Sequence, residues 1–257
     1  MTRQIYLSTF SHMATREISS YGIGIEYNQF CISKWLDEDA MDGTLERMRR
    51  QAVKCGIDLE EDREKAIVHG PFCEIAPASF DHLFRELAMK RLDQAAAGTM
   101  KLGLRRMVVH TGYVPQIFYP EWHIKESIGF WQSFLRDKPD DFNVYLENVM
   151  DEEPEMLSEI VVGVDDPRMR ICLDVGHVNV CSDTSAVGWI EKLGPLIAHF
   201  HLHNNDGKND LHAPLTEGTI DMDEVLRAID GFCPEDATLT IESRKCHESI
   251  RWLLDRT

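Results

Sequence analysis

The sequence predicts a (β/α)8 barrel, the TIM-barrel fold class, and three observations support this prediction. Eight short β-rich runs alternate with amphipathic helical stretches from one end of the chain to the other, an order typical of α/β barrels. The chain has 257 residues, of which 43% are hydrophobic, and such barrels commonly reach this length as one domain. No low-complexity or Pro/Ser-rich linker divides it, so residues 1–257 are predicted to form a single domain.

The predicted strands are short runs rich in β-branched, aliphatic or aromatic residues. In chain order they are QIYLS (4–8), GIGIEY (22–27), AIVHG (66–70), RMVVH (106–110), NVYLEN (143–148), RICLDV (170–175), AHFHLH (198–203) and TLTIES (238–243). Helical periodicity predicts helices at TLERMRRQAVKC (44–55), FDHLFRELAMKRLDQAAAG (80–98), EMLSEIVVGV (155–164), AVGWIEKLG (186–194), DEVLRAID (223–230) and HESIRWLLDR (247–256). The first unit is the least regular, because MATREISSY (13–21) is short and only weakly helical.

Polar and apolar residues alternate along these strands. In RICLD (170–174), Ile171 and Leu173 share one face, and Arg170, Cys172 and Asp174 share the other, since residues two apart in a strand point the same way. Both faces of a barrel strand are buried, so the apolar face is predicted to lie under the helices and the polar face inside the barrel. The inward series end in an acid or a histidine at the C-terminal end of the strand, where barrels carry their active sites.

Six successive strands carry such a residue at their end or in the loop that follows. These residues are His69, His110, Glu147, Asp174, His177, His203, Asp210, His212 and Glu242. Because no lysine or arginine stands among them, their mutual repulsion predicts bound cations. Neutral imidazole and carboxylate suit Zn²⁺ best, with Mn²⁺ or Fe²⁺ as alternatives. One ion cannot use so many ligands, so two or three ions bridged by Glu147 or Glu242 are predicted.

Taken singly, these residues also have a structural interpretation. A lone histidine at a strand end is more often a hydrogen-bonded core residue than a ligand, and a lone glutamate there can pair with an interior arginine such as Arg170. His199 and His201 share the inward face of their strand with His203 but lie deeper. They are predicted to be interior, hydrogen-bonded histidines.

Five segments carry a family resemblance: VHGPF (68–72), VVHTGY (108–113), LEN (146–148), CLDVGH (172–177) and LHNNDGKNDLHAPLTEG (202–218). They resemble the metal-binding segments of endonuclease IV, a member of the xylose isomerase-like TIM barrels, which also include the sugar-phosphate isomerases and epimerases. The resemblance covers nearly the whole chain and implies that the same nine residues ligate metal, as a set that holds three zinc ions in endonuclease IV. It also implies that Asp210 and His212 hold one metal and His203 helps to hold another, while Gly207 and Pro214 shape the loop between them.

Two segments depart from the DNA-repair pattern. GIGIEY (22–27) resembles the G-x-x-G-I-E segment of the sugar isomerase and epimerase branch and places Glu26 at a barrel end. Where endonuclease IV has a basic DNA-contacting loop, residues 28–43 carry one lysine and four acids, a poor match to phosphates. Phe72 stands where endonuclease IV has a tyrosine. These departures predict that nucleic acid is not a partner.

The sequence therefore predicts a divalent-metal-dependent isomerase or epimerase that moves a proton on a small sugar or sugar phosphate. The predicted catalytic residues are Glu147, Glu242 and His177. The predicted substrate-binding residues are Glu26, Lys208 and Arg244, although the two cations are equally well explained as solvated surface charges. The alternative function is an endonuclease IV-like zinc phosphodiester hydrolase acting on abasic-site DNA or another phosphoester, which a multi-metal set favours. A metal-dependent dehydratase and a barrel without activity remain open.

Four aromatic residues follow the fourth strand: Tyr113, Phe118, Tyr119 and Trp122. They have two interpretations. In one they form a lid that stacks on a bound sugar. In the other they pack their loop onto the rim of the barrel, which is the commoner fate of aromatic side chains.

Charge and cysteine usage restrict the partners and the compartment. The formal net charge of −17 argues against a broad basic surface for nucleic acid or anionic lipid. The seven cysteines form no C-x-x-C pair, and the chain shows no signal-peptide pattern and no long apolar run. Reduced thiols in a cytoplasmic protein without membrane association are therefore predicted. Homo-oligomerisation stays open.

Overall fold

The computed structural model describes residues 3–72 and 75–257. Eight parallel strands form a closed barrel in which each strand pairs with the next along the chain and the last pairs with the first. The strands are β1 (Ile5–Ser8), β2 (Gly24–Tyr27), β3 (Ala66–His69), β4 (Arg106–His110), β5 (Asn143–Glu147), β6 (Met169–Asp174), β7 (Ile197–Leu202) and β8 (Thr238–Ile241). The predicted fold class is confirmed.

Helices lie between the strands over the described ranges. They are α1 (Ala14–Tyr21), α2 (Glu38–Cys55), α3 (His82–Lys101), α4 (Pro120–Leu135), α5 (Pro154–Val164), α6 (Val175–Cys181), α7 (Ala186–Leu193), α8 (Met222–Phe232) and α9 (His247–Leu254). The irregular first unit does contain a helix. Ser185 caps α7 by accepting a hydrogen bond from the backbone N–H of Gly188. Helices α4 and α6 were not predicted, although Pro120 opens α4 at a position where proline is favoured.

The alternation along the strands separates two cores. Inside the barrel a small cluster is formed by Tyr6, Ile67, Val108, Tyr145 and Cys172. The residues that neighbour these along the strands, such as Leu146 and Leu173, point outward and join the larger core under the helices. Arg170 donates hydrogen bonds to the carbonyls of residues 195–197, near the start of β7. Its guanidinium is therefore engaged at the N-terminal end of the barrel, away from the strand ends that carry Glu147 and Glu242.

Two further findings concern membrane-spanning helices and the state of the cysteines. Within the described ranges, no helix combines the length and the apolar character that crossing a bilayer requires. The cysteines at positions 31, 55, 172, 181, 233 and 246 are free thiols. Cys73 lies outside the described residues.

Candidate metal centre

The predicted ligands meet at the C-terminal end of the barrel. The last residues of β3 to β6 and the first residues after β7 and β8 are, in order, His69, His110, Glu147, Asp174, His203 and Glu242. The strands are parallel, so their C-terminal ends share one rim and side chains from distant parts of the sequence converge there. His177 is added by α6, and Asp210 and His212 are added by the loop after β7. The structure thus brings all the predicted ligands together.

His69, His110 and Glu147 form the first group. The Nε2 atoms of His69 and His110 lie 3.1 and 3.3 Å from the same oxygen, Oε2 of Glu147. The two imidazole rings meet edge to face with centroids 5.0 Å apart. Glu147 is only 1% exposed, so one buried carboxylate oxygen faces two histidine nitrogens.

His177, His203, Asp210 and His212 form the second group. Oδ2 of Asp210 lies 3.1 Å from Nε2 of His212 and 3.6 Å from Nε2 of His177. Oδ1 of Asp210 lies 3.6 Å from Nε2 of His203. The rings of His203 and His212 stack with centroids 4.0 Å apart. The four ligand atoms all lie within 4.8 Å of one another, close enough to share an ion.

The loop after β7 returns His212 to the barrel mouth. The backbones of Asn204 and Ala213 pair in an antiparallel bridge with N–O distances of 3.1 and 2.8 Å. Gly207 has a φ of +73°, which glycine adopts without steric cost. His212 has a φ of +47°, a conformation uncommon for a residue with a side chain and typical of functional sites when the surroundings enforce it. The loop therefore holds this imidazole at some cost in backbone energy.

His201 adds a third group that the sequence analysis missed. Its Nδ1 atom lies 3.1 Å from Oε1 of Glu147, 3.5 Å from Oε2 of Glu242 and 3.8 Å from Oδ2 of Asp174. The predicted burial is correct, because His201 is fully buried. Because one ring nitrogen faces three carboxylates, His201 also joins the candidate ligands. The alternation of His199, His201 and His203 on one inward face was the available signal.

Backbone carbonyls orient three of the histidines. The Nδ1 atoms of His69, His177 and His212 lie 2.9, 2.9 and 3.1 Å from the carbonyl oxygens of Gly70, Asn148 and Glu242. A carbonyl only accepts hydrogen bonds, so each Nδ1 carries the proton and donates it. Each Nε2 faces a carboxylate, and it would be the nitrogen that gives up its proton to bind when a divalent ion is present. Histidines that bind metal are commonly oriented by outer partners of this kind.

The donor set fits divalent ions. Burial raises the pKa of the Asp174 carboxyl, but His177 and His203 bring it down to about 2. The pKa of Glu147, which burial alone would raise, is held well below its usual range by the histidines around it. Ligands of a tetrahedral zinc ion lie roughly 3.4 Å apart at ordinary bond lengths, and the separations around His201 are 3.1–3.8 Å. Nδ1 of His203 is buried without a hydrogen-bond partner in the described structure.

A cavity of about 400 Å³ opens above the ligands. Its described lining consists of Phe10, Asn28, Cys31, His69, Phe72, His110, Glu147, Val149, Met150, His177, Asp210, His212 and Glu242. The neutral residues of this lining come mainly from the loops after β1, β2 and β5, which carry no periodic pattern in the sequence. Phe72 lies over the ring of His110, with centroids 5.4 Å apart. The described lining includes no lysine or arginine.

The structure does not bring the three predicted substrate-binding residues into this cavity. Glu26 is fully buried within the barrel, and its Oε1 lies 3.1 Å from Nε2 of His201. It points inward beneath the ligands rather than standing at the barrel end, so the prediction that it contacts substrate is corrected. Lys208 is exposed on the loop after β7. Arg244 is exposed at the rim, with its guanidinium 5.5 Å from the ring centroid of Phe10.

The aromatic residues after β4 support the packing interpretation. Tyr113 is buried, and Trp122 stacks on Phe80 with centroids 5.2 Å apart. Phe118 packs against the same Phe80 ring at 5.7 Å. Tyr119 is 75% exposed. None of these side chains belongs to the described lining of the cavity.

Comparisons with known proteins agree with this architecture. An uncharacterised protein of Methanocaldococcus jannaschii is 28% identical over 212 residues, which are 77% of this chain and 71% of the relative. The crystal structure of a D-tagatose 3-epimerase-like protein superposes with a TM-score of 0.73 at 23% identity, covering 98% of this chain and 97% of that one. A Thermus thermophilus protein soaked with zinc chloride superposes with a TM-score of 0.76 at 24% identity and the same coverage. The model of the xylose isomerase-like TIM barrel family matches residues 18–255, which confirms the resemblance, and the chain belongs to that family.

Proposed function

We propose that this protein is a divalent-metal-dependent isomerase or epimerase that acts on a small polyhydroxy carbonyl compound. One observation above all supports the proposal. Glu147 and Glu242 line the same cavity of about 400 Å³ and both face Nδ1 of His201, at 3.1 and 3.5 Å. Two carboxylates at one substrate-sized cavity are what proton removal and return at a carbon beside a carbonyl require.

In this proposal the three ligand groups hold metal. A bound divalent ion supplies a Lewis acid that polarises the carbonyl or hydroxyl oxygen of the substrate. Glu147 takes the proton from the carbon beside the carbonyl, and the protonated form of Glu242 gives its own proton to that carbon from the opposite face. Proton exchange with solvent then returns both carboxyls to their starting forms. Glu147 is ionised at neutral pH, because the surrounding histidines hold its pKa below the usual range despite burial. His177, whose ring lines the cavity, would be one of the ligands of the ion held by the second group.

The cavity favours a neutral monosaccharide or a related ketone. Its volume of about 400 Å³ is near the lower end of the usual range for ligand pockets. Phe10 and Phe72 supply aromatic surface and Asn28 a neutral polar group. Arg244, beside Phe10 at the rim, is the cation placed to meet a phosphate on a longer substrate. The likeness to a D-tagatose 3-epimerase-like protein supports the same substrate class.

Hydrogen exchange tests the proposal directly. Protein loaded with zinc, manganese or cobalt is incubated in D2O with a panel of ketopentoses, ketohexoses and cyclic polyol ketones, with and without EDTA. We expect one substrate class to exchange a carbon-bound proton, detected by NMR, and to change its isomer only when metal is present. Glu147→Gln and Glu242→Gln are expected to abolish exchange. Glu191→Gln, an exposed position on α7, is the matched control and is expected to leave exchange unchanged.

A second candidate, a phosphodiester hydrolase, is favoured by the number of ligands. The groups His69–His110–Glu147 and His177–His203–Asp210–His212 are distinct, and hydrolases of this chemistry use metals roughly 3.5–4 Å apart. Charge argues against a nucleic-acid substrate, because binding to several phosphates requires cationic contacts and gives a steep salt dependence. The chain has a net charge of −17, and the described lining offers no lysine or arginine.

An abasic duplex and bis(p-nitrophenyl) phosphate separate the two candidates. We expect no binding of the duplex at physiological salt and no EDTA-sensitive cleavage of either compound. Efficient metal-dependent cleavage, together with no proton exchange on any sugar of the panel, would replace the isomerase proposal with the hydrolase.

A further inference from the structure

We propose that Glu26 is a positioning residue for the metal centre: its carboxylate keeps the proton of His201 on Nε2 and thereby presents Nδ1 as a ligand. The inference rests on the metal-binding part of the proposed function and not on the identity of the substrate. It replaces the predicted role of Glu26 in contacting substrate, and it assigns a task to a charged side chain buried below the cavity.

Glu26 is held in place by three hydrogen-bond donors. Oε1 lies 3.1 Å from Nε2 of His201. Oε2 lies 3.2 Å from Nε2 of His199 and accepts a hydrogen bond of 2.6 Å from the hydroxyl of Thr240. All four residues are fully buried. A buried charge is costly unless it is paired and hydrogen-bonded, and here the partners reach Glu26 across the barrel interior from β7 and β8.

His199 is the second histidine that contacts the Glu26 carboxylate. Its Nδ1 lies 2.6 Å from Oγ1 of Thr238, and its Nε2 points to Glu26. With Nε2 donating to the carboxylate, Nδ1 accepts the hydroxyl proton of Thr238. Both ring nitrogens of His199 are therefore engaged inside the barrel, as the sequence analysis predicted for this residue.

The consequence concerns the other nitrogen of His201. A carboxylate only accepts hydrogen bonds, so Nε2 of His201 donates to Glu26. With a divalent ion bound among Glu147, Glu242 and Asp174, Nδ1 would be the nitrogen that gives up its proton and binds. Those three carboxylates also attract a proton. Without Glu26 the proton would move to Nδ1, where the ring becomes a donor to Glu147 and stops being a ligand. A carboxylate behind a histidine that faces a metal is a known way of fixing the tautomer and raising the basicity of the ligand.

This arrangement predicts two classes of ligand histidine in one centre. His69, His177 and His212 donate Nδ1–H to backbone carbonyls and present Nε2. His201 is reversed, since it donates through Nε2 to a side chain and presents Nδ1. The reversal is measurable, because the two nitrogens of each imidazole have separate ¹⁵N resonances.

The test uses the full chain labelled with ¹⁵N-histidine and loaded with ¹¹³Cd. We expect ¹¹³Cd–¹⁵N coupling through Nδ1 for His201 and through Nε2 for His69, His177 and His212. In Glu26→Gln we expect the His201 coupling to disappear and the affinity for cadmium and zinc, measured against a competing chelator, to fall about 10- to 100-fold. Glu191→Gln is the control and is expected to match the wild type in both measurements.

Three results would overturn the proposal. The first is that the Glu26→Gln variant keeps the wild-type affinity for cadmium and zinc and keeps the Nδ1 coupling of His201. Another is loaded wild-type protein in which Nδ1 of His201 carries the proton, a result that stands even if the variant does not fold. The last is wild-type protein that binds neither cadmium nor zinc, which would also remove the metal-dependent function. Loaded protein with the expected coupling but no proton exchange on sugars would refute the isomerase proposal alone and support the role of Glu26.

Discussion

The imidazole of His203 lies directly against the backbone of Gly176, so that a Cβ atom placed on Gly176 would be 2.0 Å from Cε1 of His203. Gly176 stands between Asp174 and His177 in the first turn of α6. The missing side chain leaves room for the histidine that follows β7 to reach Oδ1 of Asp174 at 3.1 Å. A close approach of two elements, rather than an unusual backbone angle, is the reason for glycine at this position.

Gly176→Ala is therefore expected to displace the ring of His203 and to weaken metal binding by the second ligand group. The measurement is metal content after native purification, beside the affinity for zinc. Gly129→Ala is the matched control, because a Cβ at Gly129 in α4 meets no atom within 4 Å. We expect the control to keep its metal and to gain roughly 0.5–1 kcal/mol of stability, as alanine replaces glycine in a helix. Unchanged metal content in Gly176→Ala would contradict the assignment of His203 as a ligand.

The purified protein is expected to carry more than one divalent ion per chain, mostly zinc, because several candidate ligand groups, including those around His110, Asp210 and His201, meet at the C-terminal end of the barrel. Elemental analysis after purification without chelator measures this. Removal of metal with EDTA is expected to lower the Tm, since ions that bind only the folded state stabilise it. Less than one tightly bound ion per chain would exclude the multi-metal centre and leave a single site around His201.

Loss of Glu147 is expected to be more damaging than loss of His212. The Glu147 carboxylate faces His69, His110 and His201, whereas His212 serves one group. We expect Glu147→Ala to lower turnover by roughly 10²–10⁴-fold, the usual range for removal of an acid–base group, and His212→Ala to cost less. His82→Ala, at an exposed position at the start of α3, is the control. Equal and small effects of both substitutions would show that the ligands are misassigned.

A buried histidine outside the metal centre is expected to make stability depend on pH. His123 in α4 is fully buried, and neither ring nitrogen has a hydrogen-bond partner in the described structure. Its ring packs on Tyr113, with centroids 5.1 Å apart. Burial lowers its pKa to about 4, against roughly 6.5 in an unfolded chain. The unfolded state therefore binds more protons between these two values, and the free energy of unfolding falls as the pH drops through that window.

Urea unfolding at pH 7 and pH 5, in the presence of EDTA, tests this prediction. His123→Leu removes the titrating group from an apolar site. Between the two pH values we expect the wild type to lose about 2 kcal/mol more than the variant. Above the unfolded pKa the two proteins are expected to differ by a constant amount. Parallel loss of stability in both proteins would show that His123 is hydrated or paired in solution.

The strands show which structural features can be predicted from a local sequence pattern. Alternation in RICLD (170–174) predicted that Cys172 and Asp174 point into the barrel and Leu173 points outward, and the structure agrees. This works because a strand has a period of two, so a few residues define both faces. Helix α6 was not predicted because its seven residues are too few to display helical periodicity. Its start also depends on a cap in which the side chain of Asp174 accepts a hydrogen bond from the backbone N–H of His177.

The sequence by itself determined the barrel, the family and the set of acids and histidines at the strand ends, because these depend on residue type and on spacing along the chain. Only the tertiary structure decided which nitrogen faces which oxygen. Glu26 and His201 are 175 positions apart, and their pairing follows from the closure of the barrel, which brings β2 and β7 to the same interior. The predicted roles of Glu26 and His201 were revised for a physical reason. The depth of a side chain along the barrel axis depends on the stagger of neighbouring strands, which the sequence of a single strand does not specify.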